Sequence, residues 1–104
     1  MNKYGARKTT VNGITFDSRH EALRYIELTY LQRTGQIRDL RLQVTFELLP
    51  KQGKERAVKY IADFVYTDRA GETVVEDAKG LKTDVYRLKK KMMRYFHGIE
   101  IKEV

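Results

Sequence analysis

The chain has 104 residues, a length that favours a single domain with one modest hydrophobic core. Its formal net charge of +7 and pI of about 9.7 suggest an anionic partner, of which nucleic acid is the most common. Cysteine is absent, which excludes disulfides and thiolate metal sites. The sequence contains neither an apolar run long enough to span a membrane nor an N-terminal signal peptide, so we expect a cytoplasmic protein without a membrane partner.

The N-terminal third predicts an arm followed by a helix. Residues 1–13 are polar and basic, which predicts a loose N-terminal arm leading into a short extended segment, Gly13-Ile14-Thr15-Phe16. Ser18 and Glu21 have the spacing of a capping box, which predicts a helix from about Arg19 to Arg33. Apolar residues at helical spacing predict the buried face of this helix, formed by Leu23, Ile26 and Tyr30 and widened by Tyr25 and Leu28.

The remainder predicts three strands, a second helix and a last strand. The strands are expected at Leu42–Leu48, where apolar and polar residues alternate, at Ala57–Thr67 and at Glu72–Lys79. A helix is expected from Thr83 to Phe96, with a buried stripe of Val85, Leu88, Met92 and Phe96, and a short strand at 99–102. Short turns favour an antiparallel meander, and the second helix can serve as the crossover to a parallel strand. The predicted fold class is therefore α/β, one domain over 1–104 with an αβββαβ core, in which a central four-stranded mixed sheet is flanked by helices.

The turn between the second and third strands fixes their register. A three-residue loop ending in Gly71 places Asp68 opposite Glu72 and, counting back, Asp63 opposite Asp77. Directly opposed residues have Cβ atoms about 4.5–5.5 Å apart, and two carboxylates that close repel each other unless a cation compensates them. Mg²⁺ prefers carboxylate oxygens, so this pair predicts a divalent metal site.

Strand periodicity adds further groups to the predicted site. Lys79 shares a face with Asp77, and Val65 and Val75 would form an apolar floor there. Two acids and a lysine suit phosphodiester hydrolysis: the acids hold a metal that lowers the pKa of a bound water, and the lysine stabilises charge on the reacting oxygens. Glu76 points to the opposite face and is predicted to be structural.

These residues resemble a known nuclease signature. Asp63, a hairpin and then Asp77-Ala78-Lys79 resemble the PD-(D/E)xK motif of restriction-endonuclease-like nucleases, with Ala62-Asp63 in place of Pro-Asp. More narrowly, the chain resembles a family of small phage and prophage proteins assigned to that superfamily. The similarity extends over most of the chain and includes Lys3-Tyr4-Gly5-Ala6, Phe16-Asp17-Ser18, Glu21, Tyr60-Ile61-Ala62-Asp63-Phe64, Val74-Val75-Glu76-Asp77, Lys79-Gly80, Lys82-Thr83 and Tyr86.

The resemblance implies additional roles. Glu21 would be a third acid at the metal, although as a helix-capping residue it has a structural explanation as well, and one residue can do both. Gln43 resembles a family feature and is an accessory candidate without an assigned role. Polar and basic residues at the second helix would contact nucleic acid: Lys82, Tyr86, Lys89 and Lys90. Lys91 completes a run of three lysines, which the net charge assigns to DNA contact, with a solvated helix face as the alternative.

The sequence therefore predicts a Mg²⁺-dependent endonuclease acting on DNA, with Mn²⁺ able to substitute, in phage replication or recombination. Flaps and junctions are candidate substrates. Two alternatives stay open: a non-catalytic nucleic-acid-binding module with a nuclease fold, and a nuclease subunit of a larger assembly. A symmetric homodimer is a further expectation, because two sites could then cut two strands.

Overall fold

The computed structural model describes residues 7–78 and 82–104. Within these ranges, a hairpin precedes a four-stranded sheet flanked by two helices, which confirms an α/β domain with a mixed sheet. No helix in the described ranges is long and apolar enough to cross a membrane. In chain order the elements are β1 (Thr9–Val11), β2 (Ile14–Phe16), α1 (Arg19–Arg33), β3 (Arg38–Leu49), β4 (Val58–Thr67), β5 (Thr73–Asp77), α2 (Asp84–His97) and β6 (Lys102–Glu103).

The N-terminal hairpin differs from the predicted loose arm. β1 pairs antiparallel with β2, and Asn12 and Gly13 form the turn between them with φ angles of 51° and 79°. Asn-Gly is the preferred sequence of such two-residue hairpin turns, because both positions need a positive φ. The prediction of a loose arm over 1–13 was therefore wrong for residues 9–13, and residues 1–6 lie outside the described ranges.

The sheet has the strand order β3-β4-β5-β6. β3, β4 and β5 are antiparallel neighbours, and β6 runs parallel to β5 after the α2 crossover, as predicted. The predicted turn is present, since Gly71 has a φ of 85° and the main-chain N–H of Asp68 donates to the carbonyl of Glu72 at 2.9 Å. The observed pairs from Thr67↔Thr73 to Phe64↔Glu76 confirm the predicted register of β4 and β5.

Two hydrophobic clusters occupy the two faces of the sheet, one under α2 and one under α1. β4 contributes Tyr60 and Ala62 to the α2 cluster but Phe64 and Tyr66 to the α1 cluster, although strict alternation would place all four on one face. β3 changes in the same way, because Val44 and Phe46 pack on the α2 cluster whereas Leu40 and Leu42 pack on the α1 cluster. The predicted single face from Leu42 to Leu48 was therefore wrong at Leu42.

This change of face falls at Gln43 and Asp63, which lie between the two sets in β3 and β4. The flanking pairs Leu42↔Phe64 and Val44↔Ala62 keep one register, so both strands change face together. Gln43 has a φ of 52°, a left-handed conformation that interrupts the ordinary alternation of an extended strand. In both strands, the residues before and after this position therefore face opposite sides of the sheet, and the change lies at the predicted active site.

Helix α1 begins and ends where the sequence predicts, and Ser18 Oγ accepts a hydrogen bond from the Glu21 main-chain N–H at 3.1 Å. The three central residues of the predicted buried face are exposed, since Leu23, Ile26 and Tyr30 are 50%, 47% and 60% accessible. Of the two residues predicted to widen it, Leu28 is buried, together with Glu21 and Ala22, and Tyr25 is half-buried. Helical periodicity predicts that a stripe exists but does not determine which side of the helix faces the sheet.

Helix α2 begins after Thr83, whose hydroxyl accepts from the Tyr86 N–H, and ends at Gly98 with a φ of 64°. Its rotation also differs from the prediction, because Val85, Leu88 and Phe96 are exposed while Tyr86 and Met93 are buried. Met92 is half-buried against the α2 cluster, as predicted. The inward face follows contacts with distant strands, which local periodicity does not encode.

Candidate active site

Asp63 lies on β4 at the change of face and reaches the end of β5. One position beyond the Phe64↔Glu76 pair, its Oδ2 accepts a hydrogen bond from the main-chain N–H of Ala78 at 2.8 Å. The Asp63 carboxylate is therefore anchored to the peptide that directly follows Asp77. This contact brings together the two segments that the sequence register predicted to be adjacent.

Asp77 is buried beside two tyrosine hydroxyls. It is 1% exposed, and the Tyr60 hydroxyl donates to its Oδ2 at 2.6 Å. Burial, the hydrogen bond to Asp77 and the charges of Asp77 and Asp63 together raise the pKa of Tyr60. Burial, a hydrogen bond to Glu103 and both aspartate charges likewise raise the pKa of Tyr86. Both aspartate charges thus contribute to the raised pKa of these two hydroxyls.

Gln43 connects Asp63 with the acid on α1. Its Nε2 donates to Glu21 Oε1 at 3.5 Å and to Asp63 Oδ1 at 3.4 Å, both at the long end of the hydrogen-bond range. The Glu21 main-chain N–H is capped by Ser18 while its carboxylate contacts Gln43. Glu21 thus combines its capping position with a side chain directed toward Asp63.

A cleft on the α1 side of the sheet gives access to Glu21 and Gln43. It has a volume of about 280 Å³, and the N-terminal hairpin forms one of its walls. The residues that line it are Ile14, Thr15, Phe16, Asp17, Glu21, Leu42 and Gln43. Glu21 and Gln43 therefore border an open space, whereas Asp77 is buried on the α2 side.

The acids offer oxygen ligands, which suits Mg²⁺ or Mn²⁺ in donor chemistry. In the arrangement seen for residues 7–78 and 82–104, no three Asp, Glu or His side chains lie close enough together to hold a metal ion. The ligand set of Glu21, Asp63 and Asp77 therefore stays a prediction. Lys79 lies outside the described residues, so its predicted position beside Asp77 also stays a prediction.

Glu103 on β6 occupies the centre of the predicted nucleic-acid-binding set. It forms ion pairs with Lys82 at 3.1 Å and Lys90 at 3.4 Å, and it accepts a hydrogen bond from the Tyr86 hydroxyl at 2.9 Å. The hydrogen bonds from Tyr86 and Lys82 lower the pKa of Glu103, which keeps it ionised below the usual range of a glutamate. Tyr86 is 5% exposed and is therefore not presented to a nucleic acid in this arrangement.

The other two lysines of the predicted set differ in exposure. Lys91 is exposed, and Lys89 is half-buried. Of the predicted binding residues, Lys82 and Lys91 are thus exposed to solvent, and Lys82 is paired with Glu103.

Glu76, next to Asp77, belongs to a different network on the α1 side. Arg24 donates to its two carboxylate oxygens at 2.7 and 2.6 Å, and the Tyr66 hydroxyl also donates to it. Glu76 has no exposed surface, and these contacts confirm the prediction that it is structural. Arg24 lies one helical turn after Glu21, so its ion pair with Glu76 holds α1 against β5 and thereby helps to orient the Glu21 side chain.

Sequence reasoning missed Arg24 and Tyr60 as partners of the two acids. Arg24 is 52 residues from Glu76 in the chain, and no local spacing relates them. Tyr60 was assigned only to a strand, because ordinary alternation does not place it beside Asp77. The change of face at Asp63 brings Tyr60 onto the side of β4 from which its hydroxyl meets Asp77.

The fold and the site define an α/β domain in which Gln43 contacts acids of α1 and β4, while the acid at the end of β5 contacts Tyr60. The chain belongs to the family described as "Protein of unknown function (DUF1064)", whose model matches residues 1–103. Neither a curated protein nor a solved structure matches the chain.

Proposed function

We propose that the protein is a metal-dependent nuclease that hydrolyses phosphodiester bonds in DNA. The observation that carries this proposal is the anchoring of the Asp63 carboxylate to the Ala78 N–H at 2.8 Å, directly after Asp77 on the adjacent strand. The contact supports a paired-acid site at the end of a hairpin. The order α1, β3, β4, β5, α2, β6 also fits a restriction-endonuclease-like core, which we propose as the finer fold assignment.

In this proposal, Asp63 and Asp77 would hold the cation, and Glu21 of α1 would be a third ligand. The bound metal would supply a water of lowered pKa as the nucleophile. The Tyr60 hydroxyl would orient Asp77 by donating to its Oδ2. Lys79 would stabilise negative charge on the phosphate as the water oxygen attacks phosphorus and the bond to the leaving oxygen breaks.

A non-catalytic nucleic-acid-binding module is the second candidate. Two observations favour it: Asp77 is 1% exposed, and the described acids do not form a group of three around one cation position. The acids would then brace α1, β4 and β5, and the net charge of +7 would provide the affinity for phosphate.

One cleavage panel separates the candidates. Purified protein is incubated with Mg²⁺ or Mn²⁺ and end-labelled linear, flap and four-way junction DNA, and with a matched RNA duplex. We expect metal-dependent products that EDTA abolishes. Salt-sensitive binding with no product on any substrate would support the binding module. Cleavage that requires added phage or host proteins would instead support the subunit of a larger assembly.

Lys79→Ala should slow cleavage while leaving metal and DNA binding largely intact. A protonated lysine cannot bind the cation, so its loss removes only stabilisation of the reacting oxygens. We expect a single-turnover rate about 10²-fold lower, the scale for one electrostatic catalytic group. Lys54→Ala is the matched control, since Lys54 is exposed in the turn between β3 and β4 and belongs to none of the predicted sets. Equal rates for Lys79→Ala and the wild type would remove Lys79 from the site.

Glu103→Gln should strengthen binding to nucleic acid. The substitution removes the negative charge that pairs with Lys82 and Lys90, which then become available to phosphates. We expect the slope of log K against log salt to steepen by up to about two units, one for each new phosphate contact. Glu100→Gln makes the same charge change beside Arg94 and is the control. A slope that changes equally in both variants would show an effect of net charge alone.

Two wider expectations accompany the nuclease proposal. A phage or prophage protein of this kind would act on DNA in the cytoplasm of its host. Assembly as a homodimer would give the two sites needed for a cut in both strands.

A further inference from the structure

Gln43 has a backbone conformation that its residue type rarely adopts. In the described part of the chain, the residues other than glycine with a positive φ are Asn12, Asp39 and Gln43. Asn and Asp adopt this region comparatively readily, whereas for a long side chain it is uncommon and costs free energy. A strained residue of this kind persists only where its surroundings hold it in place, and such residues concentrate at functional sites.

The side chain of Gln43 indicates what the strain achieves. Gln43 is exposed at the cleft, so it is not held by packing in a core. Its single amide nitrogen instead reaches Glu21 on α1 and Asp63 on β4, at 3.5 and 3.4 Å. An extended strand with ordinary alternation would place residue 43 differently with respect to its neighbours in the sheet. The left-handed backbone of Gln43 thus accompanies a side chain that contacts both Glu21 of α1 and Asp63 of β4.

We propose that Gln43 is a positioning residue, whose amide holds the Glu21 carboxylate toward Asp63 before a cation binds. This inference rests on the proposed metal-dependent function. Two carboxylates repel each other when they approach, and an amide that donates to both offsets part of that repulsion. Groups that orient metal ligands without binding the metal typically change affinity by about 10- to 100-fold when they are removed.

Gln43→Gly separates this role from a structural one. Glycine adopts a φ of 52° without strain, and the exposed site leaves no cavity to fill, so the Tm should stay the same or rise. The amide is lost, so Mn²⁺ affinity measured by calorimetry should fall by about 10-fold or more. Gln43→Asn keeps a residue type that tolerates this backbone but shortens the reach by one methylene, and should bind Mn²⁺ similarly weakly. Asp39→Gly, at φ 57° on the same strand, is the matched control and should bind Mn²⁺ like the wild type.

A double-mutant cycle tests whether Gln43 acts through Glu21. In a Glu21→Gln background, Gln43→Gly should lower Mn²⁺ affinity far less than it does in the wild type, since interacting residues are not additive. Unchanged affinity in Gln43→Gly, or strictly additive losses, would overturn the inference. If the wild type binds Mn²⁺ but cuts no DNA, the nuclease proposal fails while the binding data still decide the role of Gln43. If the wild type binds no Mn²⁺, both fail.

Discussion

Asp77→Asn is expected to abolish DNA cleavage while preserving the fold. Asparagine has the shape of aspartate, and its carbonyl oxygen can still accept the hydrogen bond that the Tyr60 hydroxyl makes at 2.6 Å. The substitution changes no volume at a site that is 1% exposed, so it opens no cavity in the fold. We therefore expect a folded protein with a cooperative thermal transition.

The functional loss should be large because Asp77 is proposed to hold the metal directly. Cleavage should slow by about 10²-fold or more in single-turnover assays, and Mn²⁺ affinity should fall with it. This joint loss distinguishes Asp77 from Lys79, whose substitution should affect the rate alone. Asp84→Asn provides the control, since its side chain is fully exposed at the start of α2. If Asp77→Asn cuts DNA at the wild-type rate, the paired-acid site is incorrect, and the buried carboxylate serves only to bind Tyr60.

Local sequence signals were sufficient to predict the hairpin that carries the two aspartates. The turn at Asp68–Gly71 needs a left-handed residue at its end, and glycine there determines every pair along β4 and β5. The Asn12-Gly13 turn carries an equally local signal, and the first hairpin could have been predicted from it. The basic composition of that segment instead suggested a disordered arm.

The orientation of the helices could not be predicted in the same way. In α1, the apolar residues Leu23, Ile26 and Tyr30 form a regular stripe, yet Arg24 faces the sheet because Glu76 lies there. The relevant contact joins residues far apart in the chain, so only the tertiary structure determines it. The change of face at Gln43 was equally hidden, because glutamine gives no sequence signal of a left-handed backbone.

Glu76→Gln should cause the largest loss of stability among the substitutions considered. Glu76 has no exposed surface, and it binds both Arg24, whose side chain is 18% exposed, and the Tyr66 hydroxyl. Removing one partner of such a buried pair leaves Arg24 with only the exposed Glu27, at 3.6 Å, and typically costs about 3 kcal/mol or more. For a domain of this size, the Tm should fall by more than about 10 °C. Glu100→Gln is the control, because that acid pairs with Arg94 at the surface, and its Tm should stay close to that of the wild type.

The same substitution tests whether the ion pair determines which side of α1 faces the sheet. The side of α1 that faces the sheet carries Ala22 and Leu28, with Tyr25 and Leu31 half-buried beside them, and the exposed side carries Leu23, Ile26 and Tyr30. Both sides are thus apolar, so apolar burial alone does not determine the rotation, and the Arg24–Glu76 contacts at 2.6–2.7 Å favour the observed one. We expect Glu76→Gln to lose amide exchange protection preferentially in α1, ahead of β3 and β4, and Glu21 to lose its contact with Gln43. The combined change Arg24→Met with Glu76→Leu should recover much of the Tm, because an apolar pair of similar volume replaces a buried ion pair at little cost. A variant Glu76→Gln with wild-type Tm and uniform exchange protection would show instead that packing of Ala22 and Leu28 is sufficient to orient the helix.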